Sequence, residues 1–151
     1  MKCARDIGSE EIIRILKSPE AVKVYAENGV LAAYLYGSAA HGGMHAQSDV
    51  DVAVVFDQSV PRDQRFRRRL HLIGEVLGLL GIDEADVVPL NDAPLLLVFH
   101  VLRDPILLYS ADDYARGEFE LGALGKYYDF APILDSYVGA MRARVKERGL
   151  S

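Results

Sequence analysis

Two aspartates stand close together at the start of an apolar run. Asp49 and Asp51 are separated by one residue and lead into segment 52–56, which is entirely apolar. On a β-strand, residues i and i+2 project from the same face, and two residues of strand span roughly 7 Å. Carboxylate oxygens are the ligands that Mg²⁺ prefers in proteins. The pair therefore predicts a site for a hard cation.

A glycine and a serine end the apolar segment that precedes these acids. Gly37 and Ser38 follow segment 31–36 directly. A glycine lets a phosphate approach the backbone closely, and a serine hydroxyl adds a hydrogen-bond donor. The stretch is not a P-loop, because Gly43 and Met44 stand where that motif requires Lys and Ser or Thr. The turn predicts a phosphate contact beside the cation site.

A third carboxylate, Asp86, lies early in the next apolar strand candidate along the chain. Three converging carboxylates repel one another unless cations lie between them. With Asp86 on the neighbouring strand, the set would suit two metal ions roughly 3.5–4 Å apart, which clamp the attacking and leaving oxygens of a displacement. Asp83 and Glu84 are interpreted as part of a solvated loop.

The remaining pattern predicts the elements that must position these residues. The fold class is α/β (α+β), with a small mixed sheet flanked by helices and a helical C-terminal third. The predicted helices are 9–17 (capped by Ser9), 19–28, 62–80, 94–103 and 111–148 (with a kink or restart at Pro132), and the predicted strands are 30–36, 49–56, 85–90 and 106–109. In helix 62–80, a 4-3-4-3 spacing predicts a buried face of Phe66, Leu70, Ile73, Leu77 and Leu80. Pro89 places strand 85–90 at an edge or ends it. Residues 1–151 are expected to form a single domain.

Composition narrows the class of protein. The net charge of −5 disfavours a general nucleic-acid binder. Cys3 is the only cysteine, which excludes an intramolecular disulfide. We found no signal-peptide pattern and no apolar run long enough to span a bilayer, so a cytoplasmic protein without membrane association is expected.

The core motif resembles a known family. Gly37-Ser38, ten residues, and then Asp49-Val50-Asp51 is similar to the signature of the DNA polymerase β-type nucleotidyltransferase superfamily. Chain length, Asp86 and segments 107–110, 118–120 and 127–130 resemble its minimal nucleotidyltransferase (MNT) branch. The resemblance covers about residues 9–148.

The resemblance implies an activity, cofactors and a partner. Members transfer a nucleoside monophosphate from Mg·NTP, usually ATP, to an acceptor hydroxyl and release pyrophosphate. In this branch they are commonly antitoxins of type VII-like toxin–antitoxin pairs, which add AMP to a tyrosine of a HEPN ribonuclease toxin. By this resemblance, Gly37 and Ser38 would hold the triphosphate, Asp49 and Asp51 would ligate both Mg²⁺ ions, and Asp86 would ligate the catalytic ion and help activate the acceptor hydroxyl. Two alternatives stay open: a binding module that blocks the toxin without chemistry, and a nucleotidyltransferase for a small molecule such as an aminoglycoside.

Other polar and aromatic residues allow two interpretations each. The basic cluster Arg62–Arg69 is either a solvated helix face or a source of Arg65 or Arg69 for the triphosphate or an acidic partner. His41 and His45 are either loop residues or nucleotide contacts, while His71 and His100 are predicted to be packing residues. The aromatic residues Tyr127, Tyr128 and Phe130 belong either to the core or to a patch that docks a partner helix.

Overall fold

The computed structural model describes residues 7–37, 39–40 and 50–147. Five helices and four strands follow one another in this part of the chain: α1 (Ser9–Leu16), α2 (Pro19–Glu27), β1 (Val30–Tyr36), β2 (Val50–Phe56), α3 (Arg62–Leu80), β3 (Ala85–Pro89), α4 (Leu95–Leu102), β4 (Ile106–Ser110) and α5 (Asp113–Glu147). A 3-10 turn, Leu90–Asp92, joins β3 to the segment before α4. The predicted mixed sheet with surrounding helices and a helical C-terminal part is confirmed. Among the helices described, none is long and apolar enough to cross a bilayer.

The four strands form one sheet in the order β3-β2-β1-β4. β1 is central and pairs antiparallel with both β2 and β4. β3 lies at the edge and pairs in parallel with β2. The start of β2, the start of β3 and the end of β1 therefore meet at one end of the sheet.

Apolar side chains cover the sheet on both faces, as the nearly unbroken hydrophobic sequence of β1 requires. One face packs against α1, α2 and α3 and includes Leu35, Val52 and Val87. The other face packs against α4 and the first part of α5 and includes Tyr34 and Val55. Because successive strand residues alternate between faces, Asp51 and Asp86 project from the α4 side.

Helix α3 has the predicted bounds but a different buried face. Its fully buried residues are Leu72, Val76 and Leu80, whereas Phe66 and Leu70 are 65% and 52% exposed. The predicted face was therefore wrong in its first half. The second half of α3 is apolar on several sides, so contact with the sheet, and not the spacing, selects which side is buried.

The helix ends show one error and two confirmations. Ser9 is the first residue of α1 rather than its cap, because Gly8 occupies the cap position. α2 begins as predicted with Pro19 in its first turn, and the Ser18 side chain accepts a hydrogen bond from the amide of Ala21. α3 ends at Leu80 as predicted, and the next residue, Gly81, caps it with a positive φ of 65°.

Helix α5 is a single long helix of 35 residues. Pro132 lies inside it, so the helix does not restart there. The first part packs on the body of the protein, where the Tyr127 ring stacks on Phe99 at 3.6 Å between centroids. Tyr128 and Ile133 are 66% and 64% exposed. The aromatic segment 127–130 is thus divided between packing and surface.

Candidate functional site

Three polar side chains line up across three strands at the end of the sheet where β2 and β3 begin. Tyr36 of β1 is the register partner of Asp51, and Asp51 is the register partner of Asp86. Register partners project from the same face, so the side chains of these residues are neighbours. The two strands that the sequence predicted to carry the acids are adjacent and in register for this contact.

The turn after β1 brings the backbone against Asp51. Gly37 has a φ of +75°, a conformation that favours glycine, and its carbonyl accepts a hydrogen bond from the amide of Ala40 at 3.2 Å. A Cβ on Gly37 would lie 3.2 Å from Oδ2 of Asp51. The absence of a side chain therefore lets the turn approach the carboxylate closely.

Asp86 is held by an arginine from α3. Nη2 of Arg69 donates to Oδ1 of Asp86 at 2.9 Å, and Nε of Arg69 donates to the carbonyl of Val87 at 2.7 Å. The amide of Val87 also donates to Oδ1 of Asp86, at 2.8 Å. The carboxylate is thus fixed by a side chain and by its own strand.

The ionisation of Tyr36 reports on the charge at this end of the sheet. Burial, followed by the negative charges of Asp51 and Asp86, raises the pKa of Tyr36 to about 12. Both carboxylates therefore act on the same phenol. A group of acids at this spacing favours a bound cation, because a cation relieves their mutual repulsion.

The chemistry of the donors fits Mg²⁺. Asp51 and Asp86 supply hard carboxylate oxygens, the ligand type that Mg²⁺ takes together with substrate phosphates. Within residues 7–37, 39–40 and 50–147, no group of three or more potential ligands was found. The third predicted acid, Asp49, lies outside the described residues, as do Ser38, His41 and His45.

The basic cluster of α3 is largely engaged within the chain. Nη1 of Arg65 contacts both carboxylate oxygens of Asp92 at 3.0 Å, and Arg68 donates to the carbonyl of Asn28 at 3.0 Å. Arg69 alone of these three reaches an acid of the candidate site. The sequence offered Arg65 and Arg69 as equal candidates for contact with the site. The structure shows that Arg65 binds Asp92 and that Arg69 binds Asp86.

Sequence reasoning missed the surroundings of two histidines. His100 is exposed on α4, and its ring lies edge-on to the Tyr36 ring with 6.4 Å between centroids. His71 is also exposed and lies 3.6 Å from Glu75 on the same helix. Neither is a buried packing residue. An exposed histidine on an apolar helix carries no spacing signal that would have linked it to Tyr36.

The chain belongs to the polymerase β nucleotidyltransferase family, because the family model "Polymerase beta, Nucleotidyltransferase" matches residues 10–114. This match spans the sheet strands from β1 to β4 and includes the described acids. The residues matched therefore include all four strands and the described part of the candidate site, and they end near the start of α5.

Among curated proteins, the chain is similar to spectinomycin 9-adenylyltransferase of Staphylococcus aureus. The two are 25% identical over 139 residues, which cover 90% of this chain and 50% of the relative. The chain thus spans half the length of the curated relatives it matches.

Among solved structures, the fold is similar to chains of toxin–antitoxin complexes. One is a toxin–antitoxin with AMP-PNP, with a TM-score of 0.61 and 22% identity over 79% of this chain and 96% of that chain. Another is tri-AMPylated Shewanella oneidensis HEPN toxin in complex with MNT antitoxin, with a TM-score of 0.56 and 19% identity over 82% of this chain and 97% of that chain. At these identities the likeness establishes the shared fold.

Proposed function

We propose that this chain transfers AMP from Mg·ATP to the hydroxyl of a tyrosine in a HEPN toxin. It would thereby act as the antitoxin of a toxin–antitoxin pair. The observation that carries the proposal is the register pair of Asp51 and Asp86 beside the Gly37 turn, in a chain of the nucleotidyltransferase family. These residues combine a cation site with a close backbone approach for phosphates.

In the proposed reaction, the acceptor oxygen forms a bond to the α-phosphorus of ATP. The bond from that phosphorus to the oxygen bridging it to the β-phosphorus breaks, and pyrophosphate leaves with the electron pair. Asp86 accepts the proton of the acceptor hydroxyl, consistent with its half-exposed carboxylate on an edge strand. Asp49, Asp51 and Asp86 would hold two Mg²⁺ ions, which supply charge neutralisation at the phosphates.

The turn that follows β1 supports the assignment of the nucleotide. Gly37 and Ser38 would contact the triphosphate, since the positive φ of Gly37 already brings the backbone within reach of Asp51. ATP as the substrate is supported by the AMP-PNP in a protein of the same fold and by the adenylyltransferase relative.

A protein acceptor is supported by the fold and by the surface of α5. The structures of similar fold include a HEPN toxin modified with AMP and bound to its MNT antitoxin. In this chain, the second half of α5 carries the exposed apolar side chains Ile133, Tyr137 and Met141. Exposed large apolar side chains along one element are typical of a surface that another protein covers.

A small-molecule acceptor is the second candidate, because the curated relative is a spectinomycin adenylyltransferase. It has less support, since the chain corresponds to half of that protein. The third candidate is a binding module that inhibits a toxin without chemistry.

One experiment separates the three candidates. The full chain is incubated with α-labelled ATP and Mg²⁺, with either a HEPN toxin of the kind bound in the complexes of similar fold or spectinomycin as the acceptor. We expect label on the protein, and Asp51→Asn or Asp86→Asn should lose several kcal/mol of transition-state stabilisation. The matched control is Asp57→Asn, because Asp57 directly follows the last residue of β2, at the end of that strand opposite Asp51, and this variant should transfer normally.

Three other results would redirect the assignment. Label on spectinomycin alone would establish the small-molecule enzyme. Toxin inhibition without label, retained by Asp51→Asn and Asp86→Asn, would establish the binding module. Undiminished transfer by Asp86→Asn alone would move the third acid to another residue, such as Asp83.

A further inference from the structure

We propose that Arg69 is a positioning residue that fixes the carboxylate of Asp86 in the orientation used for AMP transfer. The inference deepens the proposed function and rests on it. It starts from two contacts of one guanidinium group, with Oδ1 of Asp86 at 2.9 Å and with the carbonyl of Val87 at 2.7 Å.

Arg69 reaches Asp86 by passing around the edge of the sheet. Helix α3 packs on the face that includes Val87, whereas Asp86 projects from the opposite face. β3 has a single neighbour in the sheet, β2, so its other side is open to a side chain from α3. The bond to the Val87 carbonyl places the guanidinium there by a backbone contact that does not involve the acid.

The hydrogen bonds restrict how Asp86 can turn. Nη2 of Arg69 and the amide of Val87 both donate to Oδ1, at 2.9 and 2.8 Å. Two donors on one carboxylate oxygen fix the plane of the group, and Oδ2 makes neither contact. We assign Oδ2 to the cation and the acceptor hydroxyl. Partners of this kind commonly orient the acids that ligate metals.

Stability is a weaker explanation for the contact. The side chains of Arg69 and Asp86 are 33% and 45% exposed, and ion pairs with this exposure contribute little to folding. The pair Arg65–Asp92 gives a direct comparison, since Arg65 lies one turn earlier on α3 and contacts its aspartate at 3.0 Å. Asp92 lies in the 3-10 turn after β3 and has no register contact with Asp51.

The test uses Arg69→Met and Arg69→Lys, with Arg65→Met as the matched control. Turnover and KM for ATP are measured together with Mn²⁺ binding, by electron paramagnetic resonance in the presence of AMP-PNP. We expect Arg69→Met to lower both kcat and Mn²⁺ affinity by about 10- to 100-fold, with KM for ATP nearly unchanged. Arg69→Lys should recover part of both, because an ammonium can approach Asp86 but lacks the planar fork that also holds Val87. Arg65→Met should match the unsubstituted protein in both.

A double substitution tests whether Arg69 acts through Asp86. Once Asp86→Asn is present, adding Arg69→Met should have little further effect on Mn²⁺ binding or kcat. Additive losses, or equal losses in Arg65→Met, would overturn the inference. If the unsubstituted protein transfers no AMP, the proposed function fails, and Mn²⁺ binding still decides the role of Arg69. Equal Mn²⁺ affinity in Arg69→Met and the unsubstituted protein would then refute it.

Discussion

Gly37 and Asp51 lie so close together that a single added carbon would touch the carboxylate. A Cβ on Gly37 would be 3.2 Å from Oδ2 of Asp51, and the backbone there has a φ of +75°. Two separate physical reasons thus favour glycine at this position, namely backbone strain and contact with the acid. Another glycine of the chain, Gly81, allows the effect of backbone strain to be measured alone.

We expect Gly37→Ala to impair both folding and transfer of AMP. An alanine in the left-handed region costs about 1–2 kcal/mol, and the methyl group would also displace the Asp51 carboxylate. Chemical denaturation measures the first effect, and a labelled-ATP assay measures the second. Activity should fall further than the loss of folded protein can explain.

Gly81→Ala is the matched control for this substitution. Gly81 has a φ of 65°, and a Cβ added there would meet no atom within 4 Å. It should therefore show a similar loss of stability with unchanged transfer. Equal activity of the two folded variants would mean that the Gly37–Asp51 contact has no role in the reaction.

The buried face of α3 gives a second prediction. Leu72 is 1% exposed and Leu70 is 52% exposed on the same helix. Leu72→Ala should lower the free energy of unfolding by about 2–5 kcal/mol, because it leaves a cavity against the sheet. Leu70→Ala should change it by less than about 1 kcal/mol. Urea denaturation of both variants checks this, and the reverse order would restore the face predicted from spacing.

We expect the free energy of unfolding to fall at high pH because of Tyr34. Burial and the hydrogen bond that its hydroxyl donates to Glu120 at 2.7 Å raise the pKa of Tyr34 above the ordinary value for tyrosine. The folded state therefore holds this proton after the unfolded chain has released it. Its contribution is complete below about pH 10 and is lost as the pH rises toward the folded pKa.

The comparison with Tyr34→Phe isolates this effect. Above about pH 10, the unfolding free energy of the unsubstituted protein should fall by about 1.4 kcal/mol per pH unit more than that of the variant. Tyr25→Phe removes another buried phenol with a raised pKa and serves as a reference. Parallel pH curves for Tyr34→Phe and the unsubstituted protein would contradict the assignment.

Pro132 gives a prediction about local stability in α5. A proline inside a helix removes one backbone hydrogen bond and costs about 3 kcal/mol relative to alanine. Pro132→Ala should therefore slow amide hydrogen exchange in the neighbouring turns by roughly tenfold or more. Gly139→Ala, at an open helical position, should give a smaller gain of about 1 kcal/mol. Exchange unaffected by Pro132→Ala would show that this part of α5 is already open.

The sequence predicted the strands and the acids better than the helix surfaces. The bounds of β1 and α3 follow from their apolar runs and from Gly29, Pro61 and Gly81 at their ends. The neighbouring positions of Asp51 and Asp86 follow from two consecutive strands whose second residue is an aspartate. These features depend on residues that are close together in the sequence, so the sequence alone was enough to predict them.

The features that the sequence did not determine depend on contacts between distant elements. The second half of α3 is rich in Leu, Ile and Val on several sides, so the spacing alone could not choose between Leu70 and Leu72. The sequence did not distinguish Arg69 from Arg65, because only the packing of α3 beside the edge of the sheet brings the Arg69 guanidinium to Asp86. The roles of Ser38 and Asp49 stay predictions, because both lie outside the described residues.

The engagement of Val87 has a consequence for self-association. An edge strand with unpaired backbone groups is a template on which another chain can add a strand and start aggregation. In β3, the Val87 amide and carbonyl are already bonded to Asp86 and Arg69, and Pro89 has no amide hydrogen to donate. The contacts that orient Asp86 therefore also disfavour edge-to-edge pairing of β3 with a strand of another molecule.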